Sequence, residues 1–304
     1  MQLCGWIAAF FCIFVEPCPL AADCGRRKTT NQTLLFMVLD PQFLLALAPV
    51  AFLLIYIYRQ DRLKPEPVGA LLKAFLMGAL AVPLTFVLLE IFSLIGLGAD
   101  FDEVTTASEA LWVSFFGAAI PEEIAKFLIL CWVVHKNVHF DERMDGIVYA
   151  TAVALGFAAV ENLLYVFGSE DWATVVVARG LLAVPGHFCD GVFMGYYFSL
   201  VYFSRQPRLK DKILVLVAPI LAHGIYDSFC FLQDVSEVWQ WVFAWLLIGF
   251  CVLLWKGSVK HIRALVAEDK RLMEEARLAE EASRLEAQSR VETQATDADA
   301  ANNV

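Results

Sequence analysis

Seven long apolar runs are the feature that most constrains how this chain folds. A bilayer core about 30 Å thick is crossed by roughly 20 helical residues, and each run is near that length. Hydrophobic residues make up 59% of the 304 and charged residues 18%, whereas soluble domains average roughly 45–50% and about 25%. We therefore expect an all-α, polytopic transmembrane bundle of about seven spanning helices. The runs lie at about 42–58, 69–97, 110–134, 145–167, 173–203, 212–232 and 238–255.

The loops between these runs alternate in charge, which predicts the orientation. Loops after the first, third, fifth and seventh runs are basic, whereas the alternate loops carry acidic residues and no Lys or Arg. Lys and Arg accumulate on the cytoplasmic side of membrane proteins. The pattern predicts a multi-pass protein of the cell membrane with a cytoplasmic C-terminal tail. The basic residues are Arg59, Arg62, Lys64, Lys136, Arg143, Arg205, Arg208, Lys210, Lys212, Lys256, Lys260 and Arg263.

Composition divides the chain into three parts. Residues 1–36 form a leader whose apolar run is too short to span and whose basic residues would face outward; it is expected to be signal-like or to precede a true start at Met37. Residues 37–260 form the transmembrane domain. Residues 261–304 form a charged cytoplasmic tail, helical at first and disordered after about Val291. The lipid bilayer is one partner, and no basic, aromatic-interleaved patch suggests a nucleic acid. The oligomeric state stays open.

Ionisable and strongly polar residues inside the apolar runs are the candidate site. Such residues are expensive in a membrane and usually mark function. At about 1.5 Å per helical residue, Glu122 lies roughly 18 Å above the cytoplasmic end of its run, His223 roughly 16 Å, and Glu161 and His187 roughly 24 Å. Four helices therefore bring such groups to one zone in the outer half of the bilayer. The set is Glu122, Glu123, Lys126, Glu161, Asn162, Arg179, His187, Asp190, His223 and Asp227.

The chemistry of this set is hydrolytic in type. Two adjacent carboxylates at low dielectric do not both ionise cheaply, so the pair can act as acid or base. Lys126 lies one helical turn from both and can hold one of them charged. Imidazoles at 187 and 223 can share a water or donate to an oxyanion. The same residue types also suit a metal site or a proton relay.

Structural roles compete with this interpretation residue by residue. Glu122 and Lys126 can staple a bundle as an ion pair, and a single intramembrane histidine often bonds a neighbouring helix. Glu161 with Asn162 can cap or join helices, and Arg179 can extend outward to the membrane surface. The occurrence of these residues together at one depth favours a functional site over a set of separate structural roles.

Four motifs in order resemble the PrsW family of bacterial intramembrane proteases, which is related to the CAAX protease group. The resemblance covers about residues 38–260. One motif alone would be weak evidence for this family, but all four occur here, in order and within a hydrophobic context. They are Glu122-Glu123-Ile124-Ala125-Lys126, the 156–162 segment ending in Glu161-Asn162 with Tyr165, the 179–187 segment from Arg179 to Pro185-Gly186-His187, and the 221–227 segment with His223 and Asp227. The 58–67 segment also looks like the family's first cytoplasmic loop.

The resemblance implies roles for four residues. Glu122 would activate a water, with Glu123 as its partner; His187 would position that water, and His223 would polarise the scissile carbonyl. The related prenyl-protein proteases carry Asn where this chain has Asp227, and a carboxylate donates only when protonated. The leading interpretation is a glutamic-type endopeptidase without a cofactor. Its implied substrate is a single-pass membrane protein such as an anti-sigma factor, cut near its extracytoplasmic boundary.

Three other interpretations stay open from the sequence. A zinc-dependent protease would use Glu123, His187 and His223 as ligands and Glu122 as base. A proton-coupled transporter would use the same groups as a relay, although no internal repeat is evident. A membrane scaffold would bind partners through its tail. We also expect Pro185-Gly186 to break the fifth run and leave room for an unwound substrate segment.

Overall fold

A computed structural model describes the backbone of residues 40–101 and 104–302, with side chains as far as residue 290. The predicted leader and start site lie outside the described residues. Helices make up the secondary structure of the described part, which confirms an all-α bundle. They are α1 Pro41–Gln60, α2 Val68–Ala79, α3 Ala81–Leu94, α4 Ala107–Trp112, α5 Ile120–Val134, α6 Arg143–Gly168, α7 Trp172–Ala178, α8 Val184–Tyr202, α9 Leu209–Val235 and α10 Gln240–Asn302.

Two π-helical segments join some of these helices into longer rods. Val113–Ala119 links α4 to α5, and Arg179–Ala183 links α7 to α8. Among the described residues, six helical stretches are long and apolar enough to cross a membrane. The third predicted run, at about 110–134, is the one outside these six; it corresponds to residues 107–134, which pass through the first π segment and carry Glu109, Glu122, Glu123 and Lys126.

The bundle has two ends, which we name by their loops. The tail face comprises loops 61–67, 135–142 and 203–208, and the opposite face comprises residues 95–101, 104–106, 169–171 and 236–239. Helix α10 continues without interruption from the last apolar run into the polar tail and stays helical to Asn302, beyond the position at which the sequence predicts disorder. Its Asp269 carboxylate accepts the backbone N–H groups of Arg143 and Met144, at 3.1 and 2.8 Å.

Helix α6 lies at the centre of the bundle and is buried over most of its length. Glycines allow its backbone to touch α2 directly. A Cβ built at Gly156 would lie 1.9 Å from the carbonyl oxygen of Phe75, and one at Gly78 would lie 2.1 Å from that of Val153. Small residues permit such close approach where helices associate by packing rather than by the hydrophobic effect. This contact fixes the helix that carries Glu161.

The expected break at Pro185-Gly186 is wrong. Helical hydrogen bonding continues from Trp172 to Tyr202 as one 31-residue stretch. Pro185 falls in the first turn of α8, where its missing N–H removes no necessary bond. The preceding π segment takes up the change in register, which is a common use of a π-bulge. The 69–97 run, in contrast, is interrupted at Leu80, where α2 gives way to α3.

Candidate active site

A cavity of about 630 Å³ lies among α3, α5, α6, α8 and α9. It brings together most of the polar residues that the sequence singled out, and it extends to residues 98–101 of the opposite face. The remaining three, Glu123, Lys126 and Asn162, are buried directly behind its wall. The predicted residues that line it are Glu122, Glu161, Arg179, His187, Asp190, His223 and Asp227.

Both π segments end just before a site residue. The first stops at Ala119, three residues before Glu122, and the second stops at Ala183, four residues before His187. A proline follows each segment in the first turn of the next α-helix. Single-turn π segments are frequent at functional sites because they rotate the side chains that follow. The two segments therefore set how α5 and α8 present their polar residues to the cavity.

The adjacent carboxylates occupy different environments. Glu123 is fully buried; its Oε1 accepts from Lys126 Nζ at 2.7 Å and lies 2.9 Å from His223 Nδ1. Glu122 faces the cavity with its side chain 12% exposed, and its Oε2 lies 3.2 Å from Lys126 Nζ and 3.8 Å from His223 Nε2. Glu123 is thus held through Oε1, while its buried Oε2 has no hydrogen-bond partner among the described residues, and Glu122 is held loosely and open to the cavity.

His187 belongs to a chain of hydrogen bonds that crosses the bundle. Its Nδ1 faces Lys126 Nζ at 3.2 Å and its Nε2 faces Glu161 Oε2 at 2.7 Å. An ammonium only donates, so these partners assign the neutral ring with its proton on Nε2. Arg179 donates to the same Glu161 oxygen at 2.7 Å and to Asn162 Oδ1 at 3.0 Å. The Asn162 amide in turn donates 2.7 Å to a backbone carbonyl of α1.

His223 connects the glutamate pair to α9. Its Nδ1 faces Glu123 and its Nε2 lies 3.2 Å from Asp227 Oδ2, one helical turn away. The ring can donate to carboxylates from both nitrogens only when both are protonated. Asp227 therefore orients this histidine. Asp190 is buried beside the cluster, and its Oδ1 has no hydrogen-bond partner among the described residues.

The structure gives His187 a partner that the sequence did not predict. The sequence placed His187 with Glu122 and gave Glu161 a supporting role because no histidine lies on its helix. In the structure Glu161 is a direct partner of His187. Sequence reasoning also gave no role to Phe157, whose ring lies 4.1 Å from Lys126 Nζ and packs edge-on against His187. No charge marks an aromatic residue in an apolar run, so it carries no signal of its own.

The residue types and the spacing of this cluster can be compared with those of a zinc site. Ligand atoms of Glu122, Glu123, His187 and His223 lie within 4.8 Å of one another, and these residue types suit zinc. The Lys126 ammonium, however, already lies within 3.2 Å of three of the four. Unit charges 4 Å apart interact by roughly 4 kcal/mol at an effective dielectric constant near 20, so a divalent ion among the same atoms would be strongly repelled. The donor set does not fit zinc while Lys126 keeps this position.

Comparison with known proteins gives the same class throughout. The family model described as PrsW family intramembrane metalloprotease matches residues 66–255. The protein named Protease PrsW from Clostridioides difficile (strain 630) is 33% identical over 234 residues, covering 76% of this chain and 93% of that protein. Its namesake from Bacillus subtilis (strain 168) is 35% identical over 211 residues, covering 69% and 88%. No solved structure matches the chain significantly.

A polar cavity inside a helical membrane bundle, together with these relatives, defines a multi-pass membrane peptidase that acts within the bilayer. The chain belongs to the PrsW family of intramembrane proteases. This assignment confirms the predicted family and the predicted enzyme class, and it favours the protease over the transporter and scaffold interpretations.

Proposed function

We propose that this chain is a glutamic-type intramembrane endopeptidase in which Glu122 is the general base. The observation that carries the proposal is the difference between the two carboxylates. Glu123 is fully buried under Lys126 and His223, whereas Glu122 is the one that reaches the cavity. A general base must touch the water it activates, so the cavity-facing carboxylate takes that role. Lys126 supplies the positive charge that a metal ion would otherwise bring.

The proposed reaction uses one water and no cofactor. Glu122 removes a proton from the water as its oxygen adds to the peptide carbonyl carbon. His223 Nε2, which lies 3.2 Å from Asp227 Oδ2 and 3.8 Å from Glu122 Oε2, shifts its hydrogen bond from the Asp227 carboxylate to the carbonyl oxygen as that oxygen becomes negative. The proton then passes from Glu122 to the amide nitrogen, the C–N bond breaks, and a carboxylic acid and an amine leave. His187 acts through Lys126, because the Lys126 ammonium lies between its Nδ1 and the two carboxylates.

Glu122→Gln tests this mechanism. The change keeps the size of the side chain and removes the base, so cleavage of a reconstituted substrate should fall by about 10²–10⁴-fold, while thermal unfolding in detergent stays near that of the parent. Glu170→Gln, on an exposed loop of the opposite face, is the matched control and should cleave normally. Full activity of Glu122→Gln would contradict the proposal.

Zinc catalysis is the second candidate, because four suitable donors converge and the matching family is described as a metalloprotease. It requires Lys126 to leave the donors. Chelation followed by metal analysis separates the two. The glutamic mechanism predicts unchanged activity after zinc is removed with a zinc-selective chelator. Loss of activity that accompanies removal of one equivalent of zinc, and that zinc alone restores, would establish the alternative.

We further propose that the tail face is cytoplasmic and that the substrate is a single-pass membrane protein, such as an anti-sigma factor, cut near its extracytoplasmic boundary. The cavity reaches residues 98–101 of the opposite face, so water and an unwound substrate end have a short path from that side. A cysteine introduced at Ser108 should be labelled from outside the cell and one at Lys210 should not.

Mass spectrometry of the product should place the new C-terminus within about two helical turns, or roughly 7 residues, of the outer boundary. A cut at the cytoplasmic boundary would refute the depth argument.

A further inference from the structure

A second group of carboxylates lies at the tail face, far along α6 from the proteolytic cavity. Asp61 follows α1, Glu142 precedes α6, and Asp145 lies in the first turn of α6. One oxygen from each lies within 4.8 Å of the others. Asp61 and Asp145 are 3% and 1% exposed. Because Ca²⁺ binds oxygen at about 2.3–2.6 Å, a single ion can span donors with this separation.

The surroundings of these three residues are also acidic. Glu66, which accepts a hydrogen bond from the Tyr149 hydroxyl, and Asp269, which caps α6, are both buried nearby. Glu66 and Asp269 both repel the charged form of Asp61 electrostatically, so they belong to the same acidic surroundings.

Positive charge near the group is limited. Lys64 pairs with the exposed Asp141 and also interacts electrostatically with Glu142 and Asp145. Arg143 interacts electrostatically with Asp269, and His139 with Glu66. The N-terminus of α6 adds about half a positive charge.

Two oxygens in this group supply an independent indication of a ligand. Asp145 Oδ1 and Glu142 Oε2 are buried and accept no hydrogen bond from a donor group among the described residues; the Asp145 carboxyl lies within hydrogen-bonding reach of the Glu66 carboxyl. The other oxygen of Asp145 accepts the backbone N–H groups of residues 141 and 142, at 2.8 and 2.7 Å, so the carboxylate is fixed with Oδ1 left over. Buried polar atoms in native proteins nearly always have partners. A bound cation would supply the missing partner of both carboxylate oxygens.

We propose that Asp61, Glu142 and Asp145 bind one hard divalent cation, Ca²⁺ or Mg²⁺, at a structural site separate from the proteolytic cavity. All-oxygen donors select such ions, whereas zinc and copper prefer nitrogen and sulfur. The ion joins the loop after α1 to the start of α6. Because Asp269 caps the same helix end, the site also bears on how the tail helix is anchored. None of these residues takes part in the proposed peptide hydrolysis.

Cation binding to the purified full-length chain in detergent tests the proposal. After chelation and removal of the chelator, Ca²⁺ and Mg²⁺ are titrated separately by calorimetry, with thermal unfolding followed in parallel. We expect one saturable equivalent of at least one of the two ions and a higher unfolding temperature when it is bound. Asp145→Asn and, separately, Asp61→Asn should weaken binding at least about tenfold. The second variant keeps the cap of α6 that Asp145 provides.

Two controls distinguish the site from others on the chain. Asp234→Asn, exposed on the opposite face, should bind as the parent does. Glu123→Gln should also retain binding, since it alters only the proteolytic cluster; this keeps the outcome independent of the catalytic proposal. Absence of saturable binding and of thermal stabilisation in the parent chain would overturn the proposal and indicate a proton shared between Asp145 and Glu66 instead. Binding that is lost in Glu123→Gln but kept in Asp145→Asn would overturn it as well.

Discussion

Replacing Lys126 with methionine tests the central electrostatic claim about the proteolytic site. Lys126 is 1% exposed, and its ammonium contacts Glu123 at 2.7 Å, Glu122 at 3.2 Å and His187 at 3.2 Å. Methionine keeps an unbranched apolar stem of similar length and removes the charge. Glu123 would then be a buried carboxylate whose remaining side-chain partner is His223.

The expected loss of stability follows from that geometry. Removing one member of a buried ion pair usually destabilises a protein by about 3–5 kcal/mol, because the other charge stays buried. We expect Lys126→Met to fall in this range when unfolding is followed in detergent. Lys73→Met, which removes an exposed lysine on α2, is the matched control and should change stability by roughly 0.5 kcal/mol or less. Cleavage should fall by about 10²–10³-fold, as for loss of one electrostatic contact in a preorganised site.

A double variant tests whether Lys126 compensates the charge of Glu123. If Lys126 chiefly compensates Glu123, then Lys126→Met combined with Glu123→Gln should be less destabilised than the sum of the two single changes, by about 0.5–3 kcal/mol. Strict additivity, or a Lys126→Met protein as stable and active as the Lys73→Met control, would refute the compensating role. A gain of bound zinc in Lys126→Met, with activity that chelators abolish, would instead favour the metal mechanism.

Two further substitutions probe the framework of the site. Glu161→Gln removes the charged acceptor shared by Arg179 and His187, so we expect a loss of about 3 kcal/mol in unfolding experiments and weaker cleavage; unchanged stability would mean that the chain of bonds is incidental. Gly156→Ala would place a methyl group 1.9 Å from an α2 carbonyl oxygen and should destabilise by about 1–3 kcal/mol, whereas Gly69→Ala, which meets nothing within 4 Å, should be tolerated.

The convergence of the site was predictable because helical rise is constant. Counting residues from each basic loop placed Glu122, Glu161, His187 and His223 at similar depth, and the structure brings them to one cavity. Periodicity gives height along a helix but not rotation about its axis relative to a neighbour. That is why the partner of His187 was not predictable: it depends on how α6 and α8 are turned toward each other.

Local changes in helix geometry were the less predictable part. A proline followed by glycine indicates a break when the helix is considered alone. Inside a bundle, an unsatisfied backbone group in a lipid-facing rod is costly, so the chain keeps its hydrogen bonds by widening one turn into a π segment at Arg179–Ala183. The sequence carries the proline, but the choice between a break and a π turn is made by the neighbouring helices.

An unbroken helix beside His187 is compatible with a substrate site in this bundle. The expected docking gap at Pro185-Gly186 is absent, yet the cavity beside His187 is still open to α3 and to the opposite face. Room for a substrate therefore comes from the separation of whole helices rather than from an interruption in one of them. A substrate carbonyl still has to leave its own helix before Glu122 can direct a water to it, because a helical carbonyl is already bonded and shielded. Under the proposed mechanism, unwinding is thus a demand on the substrate.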